Sequence, residues 1–453
     1  TVWQNLTQGG FTGQIYPVNP KYRAFGDHPA YARVADLPAV PELALICTPP
    51  ATVPVLVQEL AERGTRAAII LTAGLDATQK QAMLDAARPR LLRLLGPNCI
   101  GLLSPHAGLN ASFAHINAQK GELAFVSQSG ALVTAMLDWA DAQRIGFSHF
   151  VSLGEHADVD FGDMLDYLAN DVHTRAILLY IESVEAPRKF MSAARAAARN
   201  KPVIVIKAGR SAQGQKAAAS HTGALAGSDD VYEAAIARAG MLRVNTLQEL
   251  FLAAETLTRC RAAGSDVLTI LTNGGGAGVM AADAAAAQGV PLATLSPSTM
   301  EKLNDVLPPN WSHGNPVDII GDAPAQRYLQ ALEILSADPA CGTILFIHAP
   351  TAIVPSPSIA RALVPVARPA GARPPRLMSC WLGGHAVQEA RELFRQSSIA
   401  SFETPEEAVQ ALAMLQSYER NQAELTEAPP AQAAQLAPDQ AAAAAIVREA
   451  LAS

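Results

Sequence analysis

The stretch Leu123-Ala-Phe-Val-Ser-Gln-Ser-Gly130, followed by the periodic apolar run 131–143, decides the fold class of this chain. An apolar run of strand length leads directly into small polar residues and then into a helical pattern. This order predicts a strand, a tight turn and a helix whose first backbone N–H groups are free to bind an anion. The glycines that flank the serine of a hydrolase elbow are absent, so we reject a hydrolase.

The same alternation of strands and helices runs along most of the chain and predicts parallel, doubly wound α/β sheets. Ligands of such sheets bind beyond the carboxyl ends of the strands. Predicted strands are 14–18, 43–47, 67–71, 91–95, 123–126, 147–153, 176–181, 201–208, 267–271, 292–295, 343–347, 377–381 and 399–402. Predicted helices are 53–63, 78–87, 131–143, 162–169, 231–239 and 441–451.

A histidine set among small residues, His221 in Lys216-Ala-Ala-Ala-Ser-His-Thr-Gly-Ala-Leu-Ala-Gly-Ser-Asp229, is the strongest candidate for chemistry. The preceding stretch 209–216 has two glycines and no apolar period, which predicts a mobile loop. A neutral imidazole on such a loop can act as a nucleophile toward phosphorus. Taken alone, the pattern also fits a surface histidine beside a helix.

The overall composition excludes several classes of protein. The 453 residues suit about three domains, and the 49% hydrophobic content supports substantial cores. A net charge of -7 without a basic block argues against nucleic-acid or membrane-surface binding. The five cysteines lack the spacing of a zinc site or a disulfide framework, so we predict no metal site and a cytoplasmic location. No apolar stretch has the length of a membrane span.

Five short sequence motifs resemble those of the NDP-forming acyl-CoA synthetases, which are relatives of succinyl-CoA synthetase. The motifs occur along the chain in the same order as in that family. They are Gly96-Pro-Asn-Cys-Ile-Gly101, Ser127-Gln-Ser-Gly130, Ala157-Asp-Val-Asp160, Ser220-His-Thr-Gly-Ala-Leu-Ala-Gly-Ser-Asp229 and Asn315-Pro-Val-Asp318. The resemblance implies a Rossmann-like CoA-binding domain (1–118) and two flavodoxin-like parallel-sheet domains (119–262 and 263–424). A linker and helix (425–453) would lead to an ATP-grasp module.

In that family a histidine matching His221 carries a phosphoryl group between an acyl-CoA site and a nucleotide site. A glutamate after the strand 176–181 stabilises the phosphohistidine, and Glu182 stands at that position. The turns at 127–130 and 348–351 would supply two helix N-termini to the phosphate. The turn at 273–278 has, by its own glycine pattern, the shape of a phosphate-binding loop, although a lone glycine loop is a weak signal. The residues implied to bind phosphate are Ser127, Gln128, Ser129, Gly130, Thr222, Gly223, Gly275, Gly276, Pro350 and Thr351. Glu155 departs from the family, whose members often have asparagine there.

Four segments at the carboxyl ends of the first strands match those that hold coenzyme A in the relatives of succinyl-CoA synthetase. A lysine like Lys21 lies near the CoA phosphates there. The implied contacts are Val18, Asn19, Pro20, Lys21, Thr48, Pro49, Pro50, Leu71, Thr72, Asn98, Cys99 and Ile100. The glycine-rich turn that precedes these segments in the family is missing before Thr1, so we expect the chain to begin within this domain.

The resemblance implies that acid, CoA and ATP are interconverted with acyl-CoA, ADP and phosphate through an acyl phosphate and a phosphohistidine. ATP or ADP and Mg²⁺ would bind to an ATP-grasp domain or beta subunit, and the assembly would be oligomeric. Without that module the chain should not make ATP. Two alternatives stay open here: a regulatory CoA-sensing module of a protein lysine acetyltransferase, and a nicotinamide dehydrogenase. Retention of His221 and Glu182 argues against the first, and the two later domains show nothing that supports hydride transfer.

Overall fold

The computed structural model describes residues 1–222, 227–260, 266–366, 376–397, 399–427 and 439–452. Within these ranges, no helix is both long enough and apolar enough to cross a bilayer. The chain forms three successive α/β units, each built on a sheet with a parallel core, so the predicted fold class is confirmed.

The first unit is built on three parallel strands. Its elements are α1 (Val2–Gln8), β1 (Ala24–Phe25), β2 (His28–Pro29), β3 (Leu43–Ile46), α2 (Val53–Arg63), β4 (Ala67–Ile70), α3 (Ala77–Ala87) and β5 (Arg93–Leu95). The sheet order is β3-β4-β5, and β1 and β2 form a separate small hairpin. The predicted strand 14–18 is wrong, because only Val18 pairs there, in an isolated bridge with Tyr31.

The second unit has seven strands in the order β12-β11-β10-β8-β9-β6-β7. Its elements are β6 (Gly101–Ser104), β7 (Leu109–Ser112), β8 (Lys120–Ser127), α4 (Gly130–Ala142), β9 (Phe147–Ser152), α5 (Phe161–Asn170), β10 (Ala176–Ile181), α6 (Pro187–Asn200), β11 (Val203–Lys207), α7 (Ala212–Thr222), α8 (Asp229–Arg238), β12 (Leu242–Val244) and α9 (Leu247–Arg259). All residues of β9 and β11 are buried, as expected for parallel strands covered by helices on both faces. Strands β6 and β7, from the range assigned to the first domain, extend this sheet in antiparallel fashion.

The predicted mobile loop 209–216 is wrong, because α7 begins at Ala212 and continues to Thr222. The Ser211 hydroxyl accepts a hydrogen bond from the backbone N–H of Gly214 at 3.0 Å, which satisfies one free donor of the first turn. The alanines at 217–219 have the highest helix propensity, and a single glycine costs only about 1 kcal/mol. Local capping and propensity therefore form a helix without an apolar stripe.

The third unit has five parallel strands in the order β14-β13-β15-β16-β17. Its elements are β13 (Leu268–Thr272), α10 (Gly275–Gln288), α11 (Pro297–Val306), β14 (Val317–Asp318), α12 (Ala325–Ser336), β15 (Thr343–His348), α13 (Ser356–Leu363), β16 (Arg376–Trp381), α14 (Gln388–Gln396) and β17 (Ala400–Phe402).

The predicted strand 292–295 is reduced to one bridge, between Leu292 and Leu268. The Asn315 side chain occupies the adjoining hydrogen-bonding positions: it donates to the carbonyls of Leu268 (2.8 Å) and Ala293 (3.0 Å) and accepts from the N–H of Ile270 (2.9 Å). The motif 315–318 therefore joins this edge of the third unit.

The helix α15 (Pro405–Thr426) connects the second and third units. It packs against α10 of the third unit and against α9, α6 and α8 of the second. Gln422 donates from Nε2 to the carbonyls of Ala198 (3.1 Å) and Gly240 (2.6 Å). The linker predicted from Leu425 is wrong at its start, since α15 runs to Thr426, and 428–438 lie outside the described residues. The last helix, α16 (Gln440–Ala452), matches its prediction.

Candidate functional site

The carboxyl ends of β8, β10 and β11 lie side by side in the second sheet. Tyr180 is opposite Ser127, and Ile181 is opposite Lys207. Neighbouring strands are about 4.8 Å apart, so the residues that follow these strands share one short edge. Two of the predicted site residues, Gln128 and Glu182, meet there.

Gln128 is the hydrogen-bonding centre of this edge. Its Oε1 accepts from the backbone N–H groups of Glu182 (2.6 Å) and Ser183 (3.0 Å). Its Nε2 donates to the Ser183 hydroxyl (3.3 Å) and lies 2.7 Å from Nε2 of His156. Because Gln128 must present oxygen to two backbone donors, its amide nitrogen faces His156, whose Nε2 must then accept. In this arrangement the hydrogen of the His156 ring lies on Nδ1.

Sequence reasoning missed His156. It lies within a polar turn and has a backbone φ of 39°, in the left-handed region. A single histidine in a polar turn carries no signal of its own, and its partner Gln128 is 28 residues away. Only the fold shows that it bonds with the Gln128 amide.

The turn after β8 leaves the first amides of α4 without a side-chain cap. Ser129 is the N-cap residue and makes no capping hydrogen bond. The Ser127 hydroxyl instead accepts from the N–H of Ser129 and donates to its carbonyl, both at 3.0 Å. A Cβ on Gly130 would lie 3.1 Å from the Ile100 side chain, so the predicted phosphate turn and the predicted CoA segment are in contact.

Glu182 is half-buried. Burial raises the pKa of the Tyr180 phenol, and the nearby Glu182 carboxylate raises it further. His221 and Thr222 are the last residues of α7; the structure does not describe their side chains, and Gly223 lies outside the described residues. The contact between Glu182 and His221 therefore stays a prediction.

The third unit offers a different arrangement at its own turns. The Asn273 side chain binds both backbone groups of Ala349, donating to its carbonyl (2.9 Å) and accepting from its N–H (2.8 Å). Helix α10 begins at Gly275 without a side-chain cap. A Cβ on Gly275 would lie 3.0 Å from the Asp318 carboxylate, whereas Gly276 has open space. A carboxylate at the helix N-terminus competes with phosphate for the same amides, which weakens the case for Gly275.

The segment 348–351 does not begin a helix, contrary to the prediction. Helix α13 starts only at Ser356, so Pro350 and Thr351 lie in the preceding loop. His348 ends β15 and contacts the residue that begins α13: its Nε2 is 3.0 Å from the Ser356 hydroxyl, and its Nδ1 is 3.0 Å from the Tyr328 hydroxyl of α12. Burial lowers the pKa of His348 to about 4, so its imidazole is neutral at physiological pH.

The turns after β3, β4 and β5 in the first unit are joined to one another. The Thr72 hydroxyl donates to the carbonyl of Thr48 (2.8 Å), and the N–H of Asn98 donates to the carbonyl of Thr72 (3.0 Å). Leu71 and Cys99 are buried, and burial raises the pKa of the Cys99 thiol to about 12. Any ligand contact at these two positions must come from the backbone.

The other predicted CoA contacts lie on more exposed turns. Pro50 begins a short 3-10 turn that leads into α2, with Pro49 before it. In the segment 18–21, the Asn19 side chain accepts from the N–H of Lys21 (2.9 Å), and the Lys21 side chain is exposed. Pro20 lies between them.

Glu155, which departs from the family pattern, is compensated by neighbours from the first unit. Its carboxylate accepts from Nδ2 of Asn98 (3.3 Å) and forms an ion pair with Lys80. Gly154 packs so tightly that a Cβ there would lie 2.4 Å from the carbonyls of Pro97 and Asn98. The turn at Gly154 and Glu155 therefore holds the Asn98 turn in place.

The motif 157–160 joins the first and second units in the same region. Asp158 accepts from the N–H of Leu94 (2.8 Å) and from Nε of Arg93 (3.0 Å). Asp160 caps helix α5 by accepting from the N–H of Asp163 at 3.1 Å. These contacts give the motif a structural role beside the site. No group of three or more His, Cys, Asp or Glu side chains in the described residues is arranged to hold a metal ion.

Comparison with known proteins identifies all three units. Residues 1–105 match a CoA binding domain, residues 120–257 a succinyl-CoA ligase like flavodoxin domain, and residues 268–426 a Ligase-CoA domain. The chain is 40% identical over 426 residues to acetate–CoA ligase [ADP-forming] I of Archaeoglobus fulgidus, covering 93% of this chain and 60% of the relative.

Two further matches cover nearly the whole of both proteins. The chain is 36% identical to the alpha subunit of acetate–CoA ligase [ADP-forming] I of Pyrococcus furiosus, covering 91% of each chain. The structure of the dinucleotide forming acetyl-coenzyme A synthetase 1 of Candidatus Korarchaeum cryptofilum, in complex with phosphate and ADP, superposes with a TM-score of 0.85 at 32% identity. That match covers 94% of this chain and 92% of the other. These matches favour a ligase over the regulatory module. The chain belongs to the family of ADP-forming acetate–CoA ligases.

Proposed function

We propose that this chain carries out the acyl-CoA half of an NDP-forming acyl-CoA synthetase reaction. Overall, a small carboxylic acid, CoA and ATP would be interconverted with acyl-CoA, ADP and phosphate. The observation that carries the proposal is the edge where Gln128 holds the backbone of Glu182, beside the strand that leads to His221. The name of the Pyrococcus relative as an alpha subunit supports a separate nucleotide-binding partner.

In the direction of ATP synthesis, a phosphate oxygen attacks the thioester carbonyl, and the CoA thiolate leaves to give an acyl phosphate. An imidazole nitrogen of His221 then attacks phosphorus, and the carboxylate leaves as free acid. The uncapped amides of α4, from Gly130 onward, stabilise the phosphoryl oxygens. Glu182 accepts the other N–H of the His221 ring and stabilises its positive charge.

The first unit binds CoA in this proposal. Its three joined turns present Thr48, Thr72 and Asn98 at the carboxyl ends of parallel strands, where ligands of such sheets bind. Ile100 lies against Gly130, so the thioester would be delivered directly to the phosphate turn. The phosphohistidine would pass its phosphoryl group to ADP with Mg²⁺ on an ATP-grasp domain or subunit. All five cysteines are free thiols, which suits a reducing compartment such as the cytoplasm.

The test needs only this chain, acetyl-CoA and ³²P-labelled phosphate. We expect an acid-labile, base-stable label on the wild-type chain and none on His221→Ala. His115→Ala is the matched control, because it removes a half-exposed imidazole of the second unit outside the proposed site, and it should label normally. Label that survives in His221→Ala would place the nucleophile elsewhere, and absence of label in every protein would contradict the proposed function.

A further inference from the structure

Lys207 is a buried cation that none of the proposed steps uses. It is the last residue of β11, and only 3% of it is exposed. Among the described residues its ammonium donates one hydrogen bond, to the carbonyl of Ala208. It lies 4.5 Å from the centroid of the Tyr232 ring. An ammonium has three N–H donors, so this single hydrogen bond uses only part of its capacity to donate.

The charge of Lys207 is not matched by a direct ion pair. In the described ranges, no carboxylate lies within 4.0 Å of its nitrogen. Burial lowers the pKa of Lys207; Asp229 and Glu182 raise it from a distance, and Arg243 lowers it. Asp229 is itself bound to Arg243 at 2.6 Å. An unpaired buried charge is costly, so Lys207 would be stabilised by an anionic partner in another state of the site.

The segment that carries His221 begins next to Lys207 and returns to it afterwards. Ile181 pairs with Lys207 in the sheet, so Glu182 follows immediately beside it. Helix α7 then leads away from Lys207 to His221, and helix α8 returns with Tyr232 packed over the ammonium. Both ends of the histidine segment are therefore anchored at this cation.

The low exposure of Lys207 distinguishes between two sources of the anion. Free phosphate would need an open path to the ammonium, whereas a phosphoryl group on a side chain of the adjoining segment is already part of the protein. We propose that Lys207 binds a phosphoryl oxygen of the phosphohistidine formed at His221, while Glu182 binds its ring N–H. This assignment rests on the proposed function. In this assignment each charge of the intermediate meets an opposite charge. The Lys207 ammonium binds the phosphoryl oxygens, and the Glu182 carboxylate binds the imidazolium.

The first arm of the test does not depend on catalysis. Potassium phosphoramidate phosphorylates histidines chemically, and the titration of Lys207 is followed by NMR on ¹³C-lysine-labelled chain, its signal identified by its loss in Lys207→Met. We expect the apparent proton affinity of Lys207 to rise at least tenfold after phosphorylation in the wild type, but not in His221→Ala. An unchanged Lys207 titration in phosphorylated wild type would overturn the proposal.

The second arm uses labelling by acetyl-CoA and ³²P-phosphate. Lys207→Met keeps most of the length of the side chain and removes its charge, and we expect the labelling rate of His221 to fall at least tenfold, with partial recovery in Lys207→Arg. The matched control is Lys201→Met, since Lys201 precedes the other end of β11 and donates to the carbonyl of Leu168 at 2.7 Å. It should label within twofold of the wild type.

The two arms separate the possible failures. If the wild type is not labelled by acetyl-CoA and phosphate but its Lys207 responds to phosphoramidate, the proposed function is wrong and the Lys207 site stands. If Lys207→Met and Lys201→Met label at the same rate as wild type, the Lys207 proposal is wrong and the function stands.

Discussion

Acidification from pH 7 to pH 5 should destabilise the third unit through His348. This imidazole is fully buried between Tyr328 and Ser356, and burial lowers its pKa from 6.5 to about 4. The unfolded chain binds the proton more tightly than the folded one. The contribution to stability is therefore complete above about pH 6.5 and is lost as the pH falls from there towards 4. With these two pKa values, the loss between pH 7 and pH 5 is about 1.8 kcal/mol.

The assay is urea unfolding monitored by tryptophan fluorescence at the two pH values. The Trp381 ring lies 5.1 Å from the His348 ring, so its emission reports on this part of the core. His348→Gln is the reference protein, because glutamine can still bond with Tyr328 and Ser356 but does not titrate. Other histidines contribute equally to both proteins and cancel in the difference. If both proteins lose the same free energy of unfolding on acidification, His348 is not held neutral by burial and the reasoning is refuted.

Three further predictions concern the site and its support. Gly154→Ala should weaken CoA binding measured by calorimetry at least tenfold, because its Cβ would push against the Asn98 carbonyl, while Gly289→Ala, also at positive φ but in open space, should not; equal affinities would contradict this. Glu182→Gln should slow ³²P labelling roughly tenfold to a hundredfold without abolishing it, since charge-assisted hydrogen bonds are about twice as strong as neutral ones; an unchanged rate would remove Glu182 from the mechanism. Asn315→Ala should lower the urea midpoint of the third unit, at a cost of about 1 to 3 kcal/mol for each buried backbone group left unpaired; an unchanged midpoint would show that water replaces the side chain.

The sequence by itself determined the class of fold, the positions of most elements and the family. Apolar runs such as 176–181 are local signals, and so is the turn Ser127-Gln-Ser-Gly130 that leads into a helix. The pattern that makes His221 a candidate nucleophile is also local, because it consists of the small residues on either side of the histidine. Such features depend on residues within one or two turns of each other, which is why they can be predicted without a partner structure.

The tertiary structure alone decided how these pieces meet. Gln128 reaches Glu182 across 54 positions of sequence, and the acceptor role of His156 follows only from that contact. Lys207 ends an ordinary apolar strand in the sequence, and its burial beside Tyr232 depends on how α8 folds back. The sequence of a strand also predicts that the chain is extended there, but not which other strands it pairs with. Packing therefore determined that β6 and β7 extend the second sheet, and hydrogen bonds between distant residues determined the geometry of the site.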